Sequence, residues 1–154
     1  MKLAIFDLDG TVICSKHRQA TLPCGSLNLE HWIENNTPQK ISRDSLLPLV
    51  HRLRTLYKDG WKIVICTARV MQSADYKFLL NNDIPFDWVI SRPKTCTKPD
   101  AQHKREKLDR LFQRLKFSPS KAHMWDDNDS VLTMAKKMGI RTYDAKHLNY
   151  TRAH

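Results

Sequence analysis

The sequence predicts an α/β fold: a three-layer sandwich on a central, mostly parallel sheet, with a small cap insert after the first strand. Three observations predict it. Short apolar runs alternate along the chain with stretches of helical period. The runs are near-continuously apolar, which marks strands covered on both faces. Each run also stops abruptly at a small or acidic polar residue, and in an open α/β sheet ligands sit beyond those carboxyl ends. The arrangement is Rossmann-like.

The elements follow in order. Leu3-Ala4-Ile5-Phe6 is the first strand, stopped by Asp7. Residues 13–41 fit the alternation least and are expected to hang over the strand ends, with Asn28 capping a short helix through Trp32 and Ile33 that Thr37-Pro38 ends. Leu46, Leu49, Val50, Leu53 and Tyr57 share a helical face, with Pro48 in the first turn and Gly60 past the end. A strand over 61–66 runs into Thr67-Ala68-Arg69. Tyr76, Leu79 and Leu80 mark a short helix, and Trp88-Val89-Ile90 a strand ending at Ser91. Leu108, Leu111, Phe112 and Leu115 repeat the helical period. Ala122-His123-Met124-Trp125 is the next strand, stopped by Asp126-Asp127-Asn128-Asp129. A helix follows through Val131, Met134, Ala135 and Met138, closed by Gly139, then a last strand over 140–143. The polar tail after Asp144 is expected to be loosely held.

At 154 residues the chain has room for one core, so residues 1–154 are expected to form a single domain with its insert at about 13–41. Apolar residues at 41% and charged ones at 27% exclude wholesale disorder. No apolar run approaches the roughly 18 residues of a membrane span. The N-terminus turns acidic at Asp7, too soon for a signal peptide, so a cytoplasmic location without membrane partners is expected. The four cysteines form no CxxC pair. Cys14, His17, Cys24 and His31 match no common zinc spacing, and free thiols are expected.

The net charge of +10 is concentrated: between Ser91 and Lys121 ten Lys/Arg face three acids, leaving +7 in that segment. Such a field favours anionic partners, although charge alone fixes steering and not function.

The strand ends carry the chemistry. Asp7 and Asp9 leave the first strand, and Asp126 and Asp127 leave a later one. Clustered carboxylates cannot stay as bare anions, and an all-oxygen cluster selects a hard cation, magnesium foremost.

Phe6-Asp7-Leu8-Asp9-Gly10-Thr11-Val12 resembles the first motif of the haloacid dehalogenase superfamily of phosphohydrolases. Thr67 after its apolar strand resembles the second motif, a lysine before the last motif the third, and Asp126-Asp127 the fourth, in order over residues 3–143. The resemblance implies Asp7 as nucleophile forming an aspartyl-phosphate, and Asp9 as general acid and then base. Neighbouring carboxylates are expected to raise the pKa of Asp9 for the first task. Thr11 would order the loop. Mg2+ would be held by Asp7, the Asp9 carbonyl and Asp126, with Asp127 holding a metal-bound water or orienting Asp126. Thr67 and the Ala68 N–H would meet phosphoryl oxygens.

For the third-motif lysine the helix through Leu108 discriminates among Lys98, Lys104 and Lys107. Lys104 falls about 30° from the centre of the apolar stripe and Lys107 roughly 90° away. A lysine on the buried face needs an anion opposite it, which selects Lys104 with Lys98 next.

Residues 60–127 also resemble the phosphatase domain of polynucleotide kinase-phosphatases: a strand running into Thr67-Ala68-Arg69, a basic connection, a lysine-headed helix and an Asp-Asp pair. No Gly-x-x-x-x-Gly-Lys-Ser/Thr loop exists for a kinase half. The expected activity is removal of 3′-phosphates from nucleic acid ends, with Arg69, Arg92 and Lys94 on flanking phosphates and Trp32 stacking on a base. Alternatives are a nucleotide or small-metabolite phosphatase, and a phosphate-binding protein without turnover. The oligomeric state is left open.

Overall fold

The computed structural model describes residues 1–153, with side chains through residue 151. Five parallel strands form the central sheet: β1 (Leu3–Phe6), β4 (Lys62–Cys66), β5 (Trp88–Ile90), β6 (Ala122–Asp126) and β7 (Arg141–Asp144). Their order is β5-β4-β1-β6-β7. A two-stranded antiparallel pair, β2 (Ile13–Cys14) and β3 (Ser45–Leu46), stands apart from it.

Alternate residues of each strand face opposite layers, which is why the inner strands read as near-continuous apolar runs. Ala4, Phe6, Ile63, Ile65 and Trp125 pack with Leu49, Leu53 and Leu56 of α3 (Leu49–Lys58) and Phe78 and Leu79 of α4 (Ser73–Asn81). Phe6, Trp125 and Tyr143 stack across three strands, with ring centroids 4.5 and 4.6 Å apart. On the other face Leu3, Ile5, Val64, Cys66 and Met124 pack with Leu108, Leu111 and Phe112 of α5 (Asp100–Leu115) and Val131, Met134 and Ala135 of α6 (Asp129–Lys137).

The segment between β2 and β3 holds α1 (Leu29–Glu34) and α2 (Pro38–Ile41), capped by the side chains of Asn28 and Thr37. β3 closes it beyond the boundary near Ile41 read from the sequence. Its interior is organised by a charge more than by a core. Arg18 is fully buried, bonds Asp44 through Nε and Nη2 at 2.9 Å each, bonds Asn36, and lies 4.3 Å from the Trp32 ring.

The C-terminal tail departs from expectation. Residues after Asp144 form α7 (Ala145–Ala153), which packs on α3 and on the sheet. Asn149 explains its attachment: its Nδ2 donates to the Thr11 carbonyl at 2.9 Å, and its Oδ1 accepts from the Leu49 N–H at 3.0 Å. Two otherwise orphaned backbone groups are satisfied by one side chain. The four cysteines are free thiols, Cys66 buried and Cys24 exposed. Among the described residues no helix is long and apolar enough to cross a membrane.

Candidate active site

The topology puts the site where the winding reverses. β1 lies between β4 and β6, and the crevice beyond its carboxyl end is the switch point of the sheet. Register then decides which side chains meet. Phe6 pairs with Ile65 on one side and Trp125 on the other, so Asp7 sits level with Cys66 and Asp126. Thr67 follows one residue beyond.

After Asp7 the backbone turns sharply. The Leu8 carbonyl accepts from the N–H groups of Thr11, Val12 and Ile13, at 3.0 Å each. Gly10 makes the turn at φ +77°, and a Cβ there would run into the Asp127 carboxylate. Glycine is therefore required twice over, by dihedral and by space. Thr11 is buried and directs its hydroxyl toward Asp7 Oδ2 at 3.4 Å.

Asp7, Asp126 and Asp127 each offer an oxygen within 4.8 Å of the others. Lys104 reaches in from the first turns of α5 and is completely buried. Its Nζ lies 2.8 Å from Asp126 Oδ2, 3.3 Å from Asp7 Oδ1 and 3.4 Å from Asp100 Oδ2. Lys98, the other candidate, is exposed and paired with Glu106. Burial would push the Lys104 ammonium down, but Asp7 and Asp126 overrule it and hold it well above the ordinary lysine range. Burial, then the Asp126 charge, push the Asp7 carboxyl up against the pull of Lys104. Burial likewise pushes Asp126 up to about 6 despite Lys104. Three acids share one ammonium, which leaves a surplus of negative charge in a low-dielectric crevice. An all-oxygen set of this kind fits a hard divalent cation.

Thr67 is fully buried and accepts the Arg69 N–H at 3.0 Å, which leaves its own proton free to donate into the crevice. Ala68 is exposed beside it.

Two expectations need correction. Arg69 is not free to grip substrate. It is 3% exposed, with Nε and Nη2 on the two Asp9 oxygens at 2.8 and 2.6 Å, Nη1 on Asp75 at 2.7 Å and Nη2 also on Asp44 at 3.1 Å. Asp9, in turn, is not raised by its carboxylate neighbours. Burial would raise it, but the charge and hydrogen bonds of Arg69, with the Ser15 hydroxyl at 2.5 Å, hold it below the usual carboxylate range. Arg92 bonds the carbonyls of Ala68 and Lys98 and so ties the loop after β5 to the end of β4. Lys94 stays exposed on that loop. The Trp32 ring, expected to take a base, is already covered by Arg18.

Sequence reasoning missed Asp44, Asp75 and Asp100. Asp44 joins Arg18 and Arg69, and Asp75 also closes the capping box of α4. Asp100 stands four residues before Lys104 on one helix, a spacing that could have found it.

The sequence profile of the bacteriophage T5 5′-deoxynucleotidase family matches residues 1–152. The chain belongs to this family. The 5′-deoxynucleotidase of Escherichia phage T5 is 31% identical to it over a 177-residue alignment, covering 96% of this chain and 68% of that protein. An uncharacterized 20.8 kDa protein of Autographa californica nuclear polyhedrosis virus is 31% identical over 117 residues, 68% of this chain and 56% of that one. Among solved structures, a chain of the Pnkp1/Rnl/Hen1 RNA repair complex superposes with a TM-score of 0.65 at 21% identity, over 94% of this chain. This chain spans only 42% of that longer one. A haloacid dehalogenase-like hydrolase of Streptococcus pneumoniae superposes with a TM-score of 0.67 at 16% identity, over 97% of this chain and 90% of that one. These structural likenesses speak for the fold. The family match makes the chain a phosphatase, and these likenesses give it the fold of haloacid dehalogenase-like hydrolases.

Proposed function

We propose that the chain hydrolyses the 5′-phosphate of deoxynucleoside monophosphates through a phosphorylated Asp7. The carrying observation is the buried Lys104 ammonium within 3.3 Å of both Asp7 and Asp126, at the switch point of a chain that matches the 5′-deoxynucleotidase family throughout. A metal would be held by Asp7, Asp126, Asp127 and the Asp9 carbonyl. Mg2+ bound there supplies charge for the phosphoryl oxygens.

The residues of the chain divide the remaining work. The Asp7 carboxylate bonds to phosphorus, and the bond from phosphorus to the nucleoside oxygen breaks. Asp9 gives its proton to that oxygen. A water then bonds to phosphorus, gives a proton to Asp9, and the bond to Asp7 breaks. Lys104, the Thr67 hydroxyl and the Ala68 N–H meet the negative charge of the phosphoryl group, which their preorganisation stabilises without reorientation. Asp9 must leave Arg69 and take up a proton before the first half. The incoming phosphate dianion favours this, because a second negative charge beside a carboxylate raises its pKa.

A second reading is the 3′-phosphatase acting on nucleic acid ends. The +7 segment favours it. Against it, Arg69 is sealed by carboxylates, Arg92 is held by carbonyls and Lys98 is paired with Glu106, so of the four expected cations Lys94 alone is exposed with no ion pair among the described residues. The deciding experiment is a magnesium-supplemented phosphatase assay on deoxynucleoside 5′-monophosphates, 3′-phosphorylated oligonucleotides and sugar phosphates, at two salt concentrations. The proposal expects turnover of the mononucleotides with little salt response. Preferred turnover of the oligonucleotide, falling steeply with salt through counterion release, overturns it.

A further inference from the structure

One cleft opens from the site and extends beyond the phosphate-transfer machinery. It measures about 430 Å3 and runs from Asp9, Gly10 and Asp127 outward between the 3₁₀ turn at Lys16–Arg18 and α7. Its outer wall is Cys14, Lys16, Gln19, Leu47 and Lys146. We infer that this cleft is the nucleoside subsite, and that Lys16, Gln19 and Lys146 are its specificity-determining residues. The inference rests on the reading of the chain as a nucleotide phosphatase.

The position argues for it first. Asp9 forms the inner end of the cleft, and a general acid must stand against the leaving oxygen. Whatever is attached to that oxygen therefore points outward along this cleft. The size argues next: about 430 Å3 lies in the range of small-molecule sites and accepts one nucleoside, not a strand of several.

The chemistry of the wall completes the argument. Leu47 and the Cys14 thiol give a small apolar floor for a planar base. The polar groups are mostly donors. Lys16 is exposed and has no counter-charge among the described residues. Lys146 stands on α7 and is held by Asp129 at 3.4 Å, with donors to spare. Gln19 is steadied by its Nε2 bond to Ser15, which itself bonds Asp9, so its amide is positioned relative to the acid. Donors converging on a cleft beside an apolar floor suit the ring carbonyls and ring nitrogens of a base, which are acceptors. The wall also explains why α7 is fastened to the loop after β1: the helix supplies one side of the cleft.

The test compares Lys16→Ala, Lys146→Ala and Gln19→Ala with the parent on two substrates: a panel of deoxynucleoside 5′-monophosphates, and acetyl phosphate, which carries no base. The lysines are exposed, and circular dichroism checks the fold of each variant. The expected result is a rise of about tenfold in KM for at least one nucleotide in each lysine variant relative to acetyl phosphate, the size of one lost charged hydrogen bond, with kcat nearly unchanged. Equal changes for nucleotide and acetyl phosphate, or none in either, overturn the subsite while leaving the nucleotidase reading intact. A parent that hydrolyses acetyl phosphate but no nucleotide overturns both.

Discussion

The Arg69 guanidinium holds Asp9 as a fork, Nε on Oδ2 at 2.8 Å and Nη2 on Oδ1 at 2.6 Å. The same group bonds Asp44 at the end of the insert and Asp75 in α4. One buried cation thus ties the loop after β1 to two distant parts of the chain. Removing it leaves Asp9 and the enclosed Asp75 without a counter-charge, while Asp44 keeps Arg18. Breaking a buried charge network from one side costs about 3 kcal/mol or more. Arg69→Ala is therefore expected to lower stability by at least that amount, read by urea unfolding. Arg69→Lys keeps the charge but not the fork, and should fall between the two. Parent-like unfolding of the alanine variant would show that the network is not a structural tie.

Asp7→Asn is expected to fold like the parent and to lose turnover by about 10³-fold or more, because an amide is nearly isosteric with the carboxylate but does not attack phosphorus. Steady-state kinetics on freshly purified protein checks this. Acid-quenched mass spectrometry of an Asp9→Asn variant, given a substrate whose leaving group needs no proton, should find phosphate on Asp7.

Dialysis against chelator should abolish activity, and magnesium should restore it. Calcium should restore little, since its longer bonds and looser shell do not suit a compact three-carboxylate site. Isothermal titration of the chelated protein with magnesium gives a readout independent of turnover. Full activity in chelator would remove the metal from the mechanism.

The thiols should separate sharply. A hydrogen bond from the Ser26 side chain draws the exposed Cys24 thiol down, whereas burial pushes the Cys66 thiol far up. Iodoacetamide at neutral pH is expected to label Cys24 first and to leave Cys66 unmodified until the protein is denatured, as peptide mass spectrometry would record.

Asn149→Ala should orphan the Thr11 carbonyl and the Leu49 N–H, both bonded by that side chain. The expected cost is about 2 kcal/mol, two buried groups losing partners. Because Thr11 lies in the loop that carries Asp9, kcat should fall as well. Leu148→Ala, which thins the packing of α7 without touching that loop, is the control.

How much of this was legible in the residues depends on the range of the interaction. The central strands were, because burial on both faces leaves an unbroken apolar run in a few consecutive residues. Lys104 was, because a lysine on the apolar stripe of a helix is an anomaly visible within one turn. The Arg69 network was not: its partners at Asp9, Asp44 and Asp75 are set 60, 25 and 6 residues away, and no local pattern announces such a pairing. Arg69 looked like a phosphate ligand because the motif places it at a strand end, where it does stand. Helix α7 was missed because its anchor is polar. Ala145 and Leu148 give a thin apolar face, and Asn149 reads as a tail residue until the carbonyl it meets is known.

The place of β1 in the sheet has a consequence for the chain as it leaves the ribosome. Asp7 is synthesised before every residue it meets: its strand gains one neighbour only with Lys62–Cys66 and the other only with Ala122–Asp126. Until then a nascent chain carries its candidate nucleophile on a half-paired strand, with neither Asp126 nor Lys104 beside it. Even after β6 is in place, the Thr11 carbonyl waits for Asn149. The crevice is thus finished from its far end, and a polypeptide translated only as far as β6 lacks the Asn149 tie on the loop that carries Asp9.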